Sequence, residues 1–434
     1  MDLSVEPEFQ AKLDWMNTFV REEVEVMDLV FPHGGTQFDV NNHKARAMLR
    51  PLQEKVKEQD LWACHLDPSL GGKGYGQFKL ALMNEILGRS HWAPTVFGCA
   101  APDTGNAEIL AMFGTEEQKA RYLQPLLDGE IVSTFSMTEP QGGADPTQFI
   151  CKAWREGDEW VIDGEKWYSS NARFAAFIIV MAVTNPEAKP HERMSMFIVP
   201  AEKPGIIIKR NTQGMNDCGE HEGAHAYLRY DHVRVPLDSM LGGEGEAFKV
   251  AQARLGGGRI HHAMRTVGQC QRALDMMIER AVSRKTKGRM LGDHQFVQGY
   301  IADSAIELEQ FRLLVLKTAW MIDNTPHGTA RMHIGMCKVA MAKVYHDIVQ
   351  RAVQMHGALG TSRETPLATM WMGTTMMAVA DGPTEVHKVQ VAKAMLRKAT
   401  PTDKLFGTDH FPTKIEELKA RRPELFDEER QAAE

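Results

Sequence analysis

The amino-acid sequence predicts a mainly α-helical protein with a β domain at its centre. Apolar residues recur at helical spacing from residue 8 to about residue 130, and again from residue 242 onward. Between them the pattern changes to short apolar runs separated by turn residues, which is typical of strands. The 434 residues are enough for two or three domains with large cores. We therefore expect an N-terminal helical domain (residues 1–130), a middle β domain (131–241), a C-terminal helical bundle (242–400) and a charged extension (401–434).

Breaks in the helical pattern divide the N-terminal domain into several helices. Pro51, Pro94 and Pro102 interrupt it, as does the glycine-rich stretch GGKGYG at residues 71–76. Because no strand pattern leads into GGKGYG and no Gly-Lys-Ser/Thr sequence follows, it does not fit a nucleotide-binding loop. We interpret it as a connection between two helices.

Turn signals divide the middle domain. The pairs Gly157–Asp158 and Asp163–Gly164 are typical of hairpin turns, so we expect each to join two strands. The stretch STFSMTEPQGGAD (residues 133–145) begins as a strand and opens into a glycine-containing turn. Glycines there would let a flat ligand approach the main chain, and Thr138 offers a hydroxyl. Taken alone, this stretch fits a ligand-contacting loop and an ordinary hairpin corner equally well.

An HExxH pattern, formed by His221, Glu222 and His225, raises the question of a zinc site. The pattern binds zinc when a helix stacks the two histidines one turn apart. Here glycines flank it and a β-type run follows, and an extended chain would hold the histidines roughly 13 Å apart. We predict no metal site.

The C-terminal domain shows apolar stripes that step by three and four residues. This spacing predicts long helices packed as an antiparallel bundle. The stripes comprise Cys270, Leu274, Met277 and Ala281, then Ile301, Ala305, Leu308, Val315, Ala319 and Ile322, then Cys337, Met341, Val344 and Ile348.

Composition excludes several classes of function. A net charge of -7 with dispersed basic residues argues against a nucleic-acid partner. No apolar run approaches membrane-spanning length, and the N-terminus lacks the features of a signal or transit peptide. The six cysteines form no CxxC pair, which fits reduced thiols and a cytoplasmic location.

Several ordered motifs resemble the acyl-CoA dehydrogenase family of FAD enzymes. They are the TEP-containing loop above, LDPSLGGKGYG (residues 66–76), FGTEEQKARYLQPLLDGE (113–130) and ADGPTEVH (380–387). Two others, APDTGNAEIL (101–110) and GGGRIHHAMRTVG (256–268), are similar to the subfamily called family members ten and eleven. The resemblance implies a β-barrel-like middle domain and a four-helix bundle at the C-terminus.

The resemblance also implies which residues hold FAD and substrate. The expected flavin contacts are Phe135, Met137, Thr138, Tyr168, Ser170, Pro383 and Glu385. A second group, expected to reach the FAD of a neighbouring subunit, comprises Arg284, Thr286, Gln295, Gln354 and Gly357. Ala144, Arg259 and Gly382 are the expected substrate contacts. Three residues depart from the family pattern: Ala144 replaces a serine, Lys287 a phenylalanine and Ala358 a glycine.

Asp381 takes the position of the family's catalytic base. Most relatives have glutamate there, whereas the matched subfamily has aspartate, and the alternative base position near Gly258 holds no acid. The resemblance implies that Asp381 removes the α-proton of an acyl-CoA while a hydride leaves the β-carbon for FAD, which gives a trans-2-enoyl-CoA. It further implies a homodimer or homotetramer and an electron-transferring flavoprotein as acceptor. Two alternatives remain open: a nitroalkane-oxidase-like or acyl-CoA-oxidase-like flavoenzyme, and a catalytically silent flavoprotein scaffold.

Overall fold

The computed structural model describes residues 3–32, 35–68, 72–215, 223–326 and 328–426. The chain forms two compact units, Met1–Val389 and Gln390–Glu434. The first unit contains helices, a central sheet and a helical bundle, in that order along the chain. The predicted fold class is therefore confirmed.

Among the described residues, eight α-helices precede the sheet. They are α1 (Pro7–Phe19), α2 (Glu25–Val30), α3 (His43–Glu58), α4 (Gly76–Leu87), α5 (Ala93–Val96), α6 (Asp103–Phe113), α7 (Glu116–Gln118) and α8 (Gln124–Leu127). The Asn42 side chain caps α3 by accepting a hydrogen bond from the Ala45 backbone N–H at 3.0 Å. Residues 72–75 form a loop before α4, which fits the interpretation of GGKGYG, while residue 71 lies outside the described residues.

The expectation that Pro51 ends a helix is wrong. Helix α3 continues through Pro51. Proline removes the donor for the carbonyl group four residues earlier, here that of Ala47. Because Ala47 and Pro51 are both exposed, water can take the place of that donor. Pro94, by contrast, lies in the first turn of α5, and Pro102 immediately precedes α6.

In the part of the middle domain that the structure describes, the strands form one eight-stranded sheet. Its strands are β1 (Ser133–Ser136), β2 (Lys152–Glu156), β3 (Glu159–Ser170), β4 (Phe177–Val183), β5 (Met194–Pro200), β6 (Ile206–Thr212), β7 (His225–Pro236) and β8 (Met240–Leu241). The order is β6-β7-β3-β2-β4-β5-β8, and β1 pairs in parallel with β4. Alternate residues of β4 belong to different cores: Ile179 packs in a cluster with residues of α6, whereas Ile178 packs among the other strands.

One of the two predicted hairpin turns is wrong. Gly157 lies in the turn between β2 and β3, as expected, but β3 runs unbroken through Asp163 and Gly164. Gly164 marks a shift in the register with β7 and has a φ of +150°. A Cβ atom there would lie 2.6 Å from the Cα of Cys151. The glycine therefore permits a close approach of two strands within the sheet rather than a turn.

The bundle consists of four main helices: α9 (Ala247–Ser283), α10 (Gln295–Asn324), α11 (Arg331–His356) and α12 (Leu367–Val379). A short hairpin of β9 (Lys285–Thr286) and β10 (Arg289–Met290) joins α9 to α10, and α13 (Thr384–Leu396) follows α12. Most residues of the predicted stripes are buried, although Ala305 is exposed. Among the described helices, none is long and apolar enough to cross a lipid bilayer.

The second unit contains a helix that composition alone does not predict. Helix α14 (Phe411–Arg421) has exposed apolar residues, including Phe411 and Ile415. Lys404 and Glu417 form an ion pair of 2.5 Å within this unit.

Candidate active site

Asp381 lies in the tight connection between α12 and α13. Its φ of +56° is unusual for a residue with a side chain. The Nε atom of Arg259 donates a hydrogen bond of 3.0 Å to the Asp381 carbonyl oxygen, and Nε2 of His387 lies 3.4 Å from the same oxygen. The backbone of the predicted base is thus fixed from both sides, by α9 and by α13.

The carboxylate of Asp381 lies against α9 where that helix has no side chain. A Cβ atom on Gly258 would be only 2.9 Å from Oδ2 of Asp381. The glycine that leaves the alternative base position without an acid therefore also makes room for the carboxylate.

Four cationic side chains surround the Asp381 carboxylate. Burial lowers the pKa of Arg254, Arg259 and Arg265, and Asp381 opposes that effect in each case. Burial likewise lowers the pKa of Lys338 on α11 to about 8, again against the influence of Asp381. The Asp381 carboxylate therefore lies in a region of positive charge.

His262 is the nearest titratable neighbour of the base. Its Nε2 atom lies 3.6 Å from Oδ2 of Asp381, and the two side chains are 23% and 20% exposed. Burial lowers the pKa of His262 to about 4, while Asp381 acts to raise it. The imidazole is therefore neutral at physiological pH. Lys338 was not singled out from the sequence, whereas His262 belongs to the GGGRIHHAMRTVG motif.

The predicted flavin-contacting residues of the sheet come together at one corner. The backbone N–H of Trp167 donates a 2.8 Å hydrogen bond to the Thr138 carbonyl oxygen, which joins the end of β3 to the loop after β1. A register shift between Lys166 and Ser169 presents Tyr168 with a φ of +55° and 48% exposure. An aromatic side chain held in a strained backbone and left open fits a flat ring as ligand.

Ser170, two residues after Tyr168 on β3, has a hydrogen-bond partner that the sequence did not suggest. Its hydroxyl lies 2.9 Å from Nδ1 of His225, the first residue of β7. His225 therefore belongs to an extended strand and not to a helix, whereas His221 and Glu222 lie outside the described residues. In the described part of the chain, one group of side chains is spaced for a metal ion, formed by Asp163, Asp231 and His232. Arg229 already forms ion pairs with both aspartates, which fits a structural role for that group.

A buried ion pair holds the loop after β1 in place. Lys166 and Glu139 have side-chain exposures of 0% and 1%, and Nζ lies 2.7 Å from the carboxylate. Nζ also donates to the Met137 carbonyl oxygen at 2.9 Å, while Glu139 accepts from the backbone N–H groups of Ile150 and Cys151 at 2.7 and 3.0 Å. The glutamate of the TEP motif is thus a structural residue that positions its neighbour Thr138.

The APDTGNAEIL motif connects the sheet to the bundle through a chain of hydrogen bonds. Asp103 accepts from the backbone N–H and the hydroxyl of Ser133, at 2.8 and 2.6 Å. Asn106 donates to the same hydroxyl at 2.8 Å and accepts from Nε of Arg254 at 2.8 Å. The Arg254 guanidinium in turn lies over the ring of Phe135, 4.1 Å from its centroid. Arg254 therefore links β1, the predicted flavin-contacting strand, to the surroundings of Asp381.

The same motif places a second acid near the base. A Cβ atom on Gly257 would lie 2.8 Å from Oε2 of Glu108, next to the position where Gly258 accommodates Asp381. Burial raises the pKa of Glu108 to about 8, and Arg254 opposes the rise. The Glu108 carboxyl is thus mostly protonated at neutral pH and able to donate a hydrogen bond.

The second group of predicted FAD contacts lies elsewhere on the bundle. Its residues belong to the β9–β10 hairpin, the start of α10 and the end of α11, and all of them are exposed: Arg284, Thr286, Gln295, Gln354 and Gly357. Of the remaining predicted contacts, Gly382 and Pro383 directly follow Asp381 and are half-buried. Glu385, in the first turn of α13, and Ala144, in the turn after β1, are exposed.

Comparison with protein families finds three matches in the order of the three structural regions. The N-terminal, middle and C-terminal domain models of acyl-CoA dehydrogenase match residues 9–130, 134–232 and 245–396.

Individual proteins with similar sequences or structures carry related names. A Mycobacterium tuberculosis protein named as a probable acyl-CoA dehydrogenase, FadE2, is 42% identical over 83% of this chain and 88% of its own length. Human acyl-CoA dehydrogenase family member 11 is 39% identical over 83% of this chain, which spans 47% of that relative. Butyryl-CoA dehydrogenase from Megasphaera elsdenii shares the fold, with a TM-score of 0.77, 24% identity and coverage of 92% of this chain and 100% of its own.

Proposed function

The chain belongs to the acyl-CoA dehydrogenase family of oxidoreductases, and we propose that it catalyses the FAD-dependent conversion of an acyl-CoA thioester to a trans-2-enoyl-CoA. One observation carries the proposal. The Asp381 carboxylate lies among buried cations beside α9, and Arg254 connects its surroundings to the strand of Phe135. The proposed base and the proposed flavin-contacting strand are thus connected through Arg254.

Asp381 is the proposed acceptor of the substrate α-proton. A thioester α-proton is weakly acidic, so its removal requires a carboxylate held in place and a polarised carbonyl group. Arg259 and His387 fix the backbone of Asp381, so its carboxylate is held in place as the proposed base.

The residues at the corner of the sheet fit FAD. Thr138 and Ser170 provide hydroxyl groups, and the exposed Tyr168 provides an aromatic face. When bound, FAD supplies the acceptor for the hydride that leaves the substrate β-carbon. Phe135 and Met137 precede Thr138 on the same strand and loop, and we assign them to the same flavin surface.

A second copy of the chain completes the proposed cofactor site. Arg284 and Thr286 are exposed on a hairpin with several basic residues, where a guanidinium is suited to bind diphosphate. Exposed apolar side chains lie nearby in sequence on α9 and α10: Val282 is 63% exposed and Phe296 86%. Such residues favour burial against another subunit. We therefore propose a homodimer or homotetramer in which Arg284, Thr286, Gln295, Gln354 and Gly357 contact the partner's FAD.

Replacing the base tests the proposal. Asp381→Asn keeps the size of the side chain and removes its basicity, so the variant should fold and bind FAD. Anaerobic mixing with a panel of acyl-CoA thioesters should bleach the flavin of the wild-type protein, and the variant should react roughly 100-fold to 10,000-fold more slowly. Equal reduction rates would show that the base is another residue. A wild-type flavin that no acyl-CoA bleaches would support a silent scaffold instead.

The electron acceptor is tested separately. We propose an electron-transferring flavoprotein, which should reoxidise the reduced enzyme in anaerobic mixtures. Stoichiometric oxygen consumption during turnover would instead indicate an oxidase-like enzyme.

A further inference from the structure

His262 lies next to the Asp381 carboxylate and also lines a cavity. On one side its Nε2 atom lies 3.6 Å from Oδ2 of Asp381. It also lines a cavity of about 230 Å³, whose lining residues in the described part of the chain do not include Asp381. The wall carries polar groups from three segments, among them Ser90, His91, Arg265 and Gln269. A cavity of this size with polar walls has room for several water molecules.

The proposed reaction creates a need for a proton path. Each turnover leaves the substrate α-proton on Asp381, which must lose it before the next substrate reacts. The acyl chain and the flavin would cover the carboxylate from the substrate side, so direct loss to bulk solvent is hindered there. The His262 imidazole, which is neutral, is adjacent to the carboxylate.

We propose that His262 relays this proton: Nε2 accepts it from Asp381 while Nδ1 releases a proton to water in the cavity. The inference rests on the proposed dehydrogenase function. One O–H bond of Asp381 breaks, one N–H bond forms at Nε2, and one N–H bond breaks at Nδ1, so the imidazole stays neutral overall. Exchange with the same water restores the starting tautomer.

The charges around His262 favour a concerted transfer over a stable imidazolium. Arg254 and Arg265 face it from α9, and Lys338 faces it from α11. Asp381 is the carboxylate that faces it, and this charge disappears when Asp381 takes the α-proton. A full positive charge on His262 would then lie among three cations without a counter-ion, which is unfavourable. Arrival and departure of the proton must therefore be coupled.

Exchange of the substrate α-hydrogen with deuterated water separates the relay from the reduction of flavin. The probe is the 3-thia analogue of the acyl-CoA that bleaches the wild-type flavin fastest; sulfur replaces its β-carbon, so it has no hydride to give. Its α-hydrogen exchanges only if the proton on Asp381 reaches solvent, and mass spectrometry measures the deuterium gained. Flavin reduction by the parent acyl-CoA needs only the first proton transfer.

His262→Gln is the informative variant because its amide can occupy the position of Nε2 but cannot pass a proton through the ring. We expect exchange to fall by about 100-fold, a typical loss for a removed proton-transfer group, with a change of less than about threefold in the single-turnover reduction rate. Added imidazole should restore exchange in His262→Ala. His261→Gln is the matched control, since Nε2 of His261 contacts Oε1 of Gln77 at 3.2 Å, and the ratio of exchange to reduction should stay at the wild-type value.

Two results would overturn the relay. Unchanged exchange in His262→Gln would show that the proton leaves by another path. Equal losses of exchange and reduction, without rescue by imidazole, would show that His262 only positions the carboxylate. Failure of every acyl-CoA to bleach the wild-type flavin would instead refute the dehydrogenase function itself, so the two proposals fail in different ways.

Discussion

The contribution of the Lys166–Glu139 ion pair to protein stability and to the proposed flavin-contacting loop can be measured. Lys166→Met preserves most of the side-chain length and removes the charge. Glu139 would then remain buried, with 1% of its side chain exposed, and would keep the backbone donors of Ile150 and Cys151. Breaking a buried pair by removing one partner costs about 3–5 kcal/mol. Because two backbone donors remain, we expect a loss near the lower end, about 3 kcal/mol in the free energy of unfolding.

A double-mutant cycle separates the pair from its surroundings. In Lys166→Met with Glu139→Gln both charges are gone, so the double variant should be more stable than Lys166→Met alone, with a coupling energy of about 1–3 kcal/mol. Urea titration followed by tryptophan fluorescence gives the stabilities, and flavin absorbance of the same samples gives FAD content, which should fall in both single variants.

An exposed ion pair on the same sheet serves as the control. Lys209 pairs with Glu165, and these side chains are 41% and 33% exposed. Lys209→Met should leave both stability and FAD content unchanged, because solvent screens such pairs. Our account of the loop would be refuted if Lys166→Met matched Lys209→Met, or if the effects of Lys166→Met and Glu139→Gln were simply additive.

Three further predictions concern the base and the cofactor. Gly258→Ala places a methyl group 2.9 Å from the Asp381 carboxylate and should slow flavin reduction at least about tenfold, with FAD retained. The control is Gly256→Ala, whose Cβ meets nothing within 4 Å and which should not slow reduction. Rapid-mixing absorbance measures the reduction rates of both variants. Because burial raises the pKa of Glu108 from 4.5 to about 8, the folded state binds the extra proton between these values, and stability should fall as pH rises through that window. Glu108→Gln should abolish this fall, of at most about 1.4 kcal/mol per pH unit, in urea titrations at pH 5 and 9; the same fall in both proteins would contradict it. Arg284→Ala should lower FAD occupancy far more than the reduction rate of molecules that keep their flavin, and unchanged occupancy would remove Arg284 from the cofactor site.

The fold was predictable because helices and strands leave periodic marks in a sequence. The stripes of the bundle and the change of pattern near residues 131 and 242 depend on neighbours within one element, which a sequence displays directly. The Asp163–Gly164 pair shows the limit of local signals. Its composition matches a hairpin turn, yet Gly164 is required by the Cα of Cys151, the residue just before β2, a contact that no local pattern encodes.

The candidate site was predictable only in part, for a related reason. Asp381 and the residues around Thr138 belong to contiguous motifs, so a resemblance could identify them. Lys166 reaches Glu139 across 27 positions of sequence, and His262 reaches Asp381 only because α9 passes beneath the α12–α13 connection. The sequence contained one local signal of this proximity, the uninterrupted run of three glycines before Arg259. Such a run indicates that another segment of the protein or a ligand approaches this helix closely.

The hydrogen-bonded chain from Asp103 through Ser133 and Asn106 to Arg254 has a consequence for protein engineering. Asp103 and Asn106 lie in the region matched by the N-terminal model and Arg254 in that matched by the C-terminal model, whereas Ser133, at the start of β1, directly precedes the region matched by the middle model. The regions are therefore not interchangeable parts. A chimera that joins this N-terminal region to a β1 strand with a side chain other than serine at position 133 would leave Asp103, whose pKa burial raises to about 6, with the backbone N–H donor but without the hydroxyl donor. Chimeras between relatives should therefore fold when the hydrogen-bond donors and acceptors of this network are transferred together. Chimeras whose junctions follow only the boundaries of the matched domains should be destabilised at those junctions.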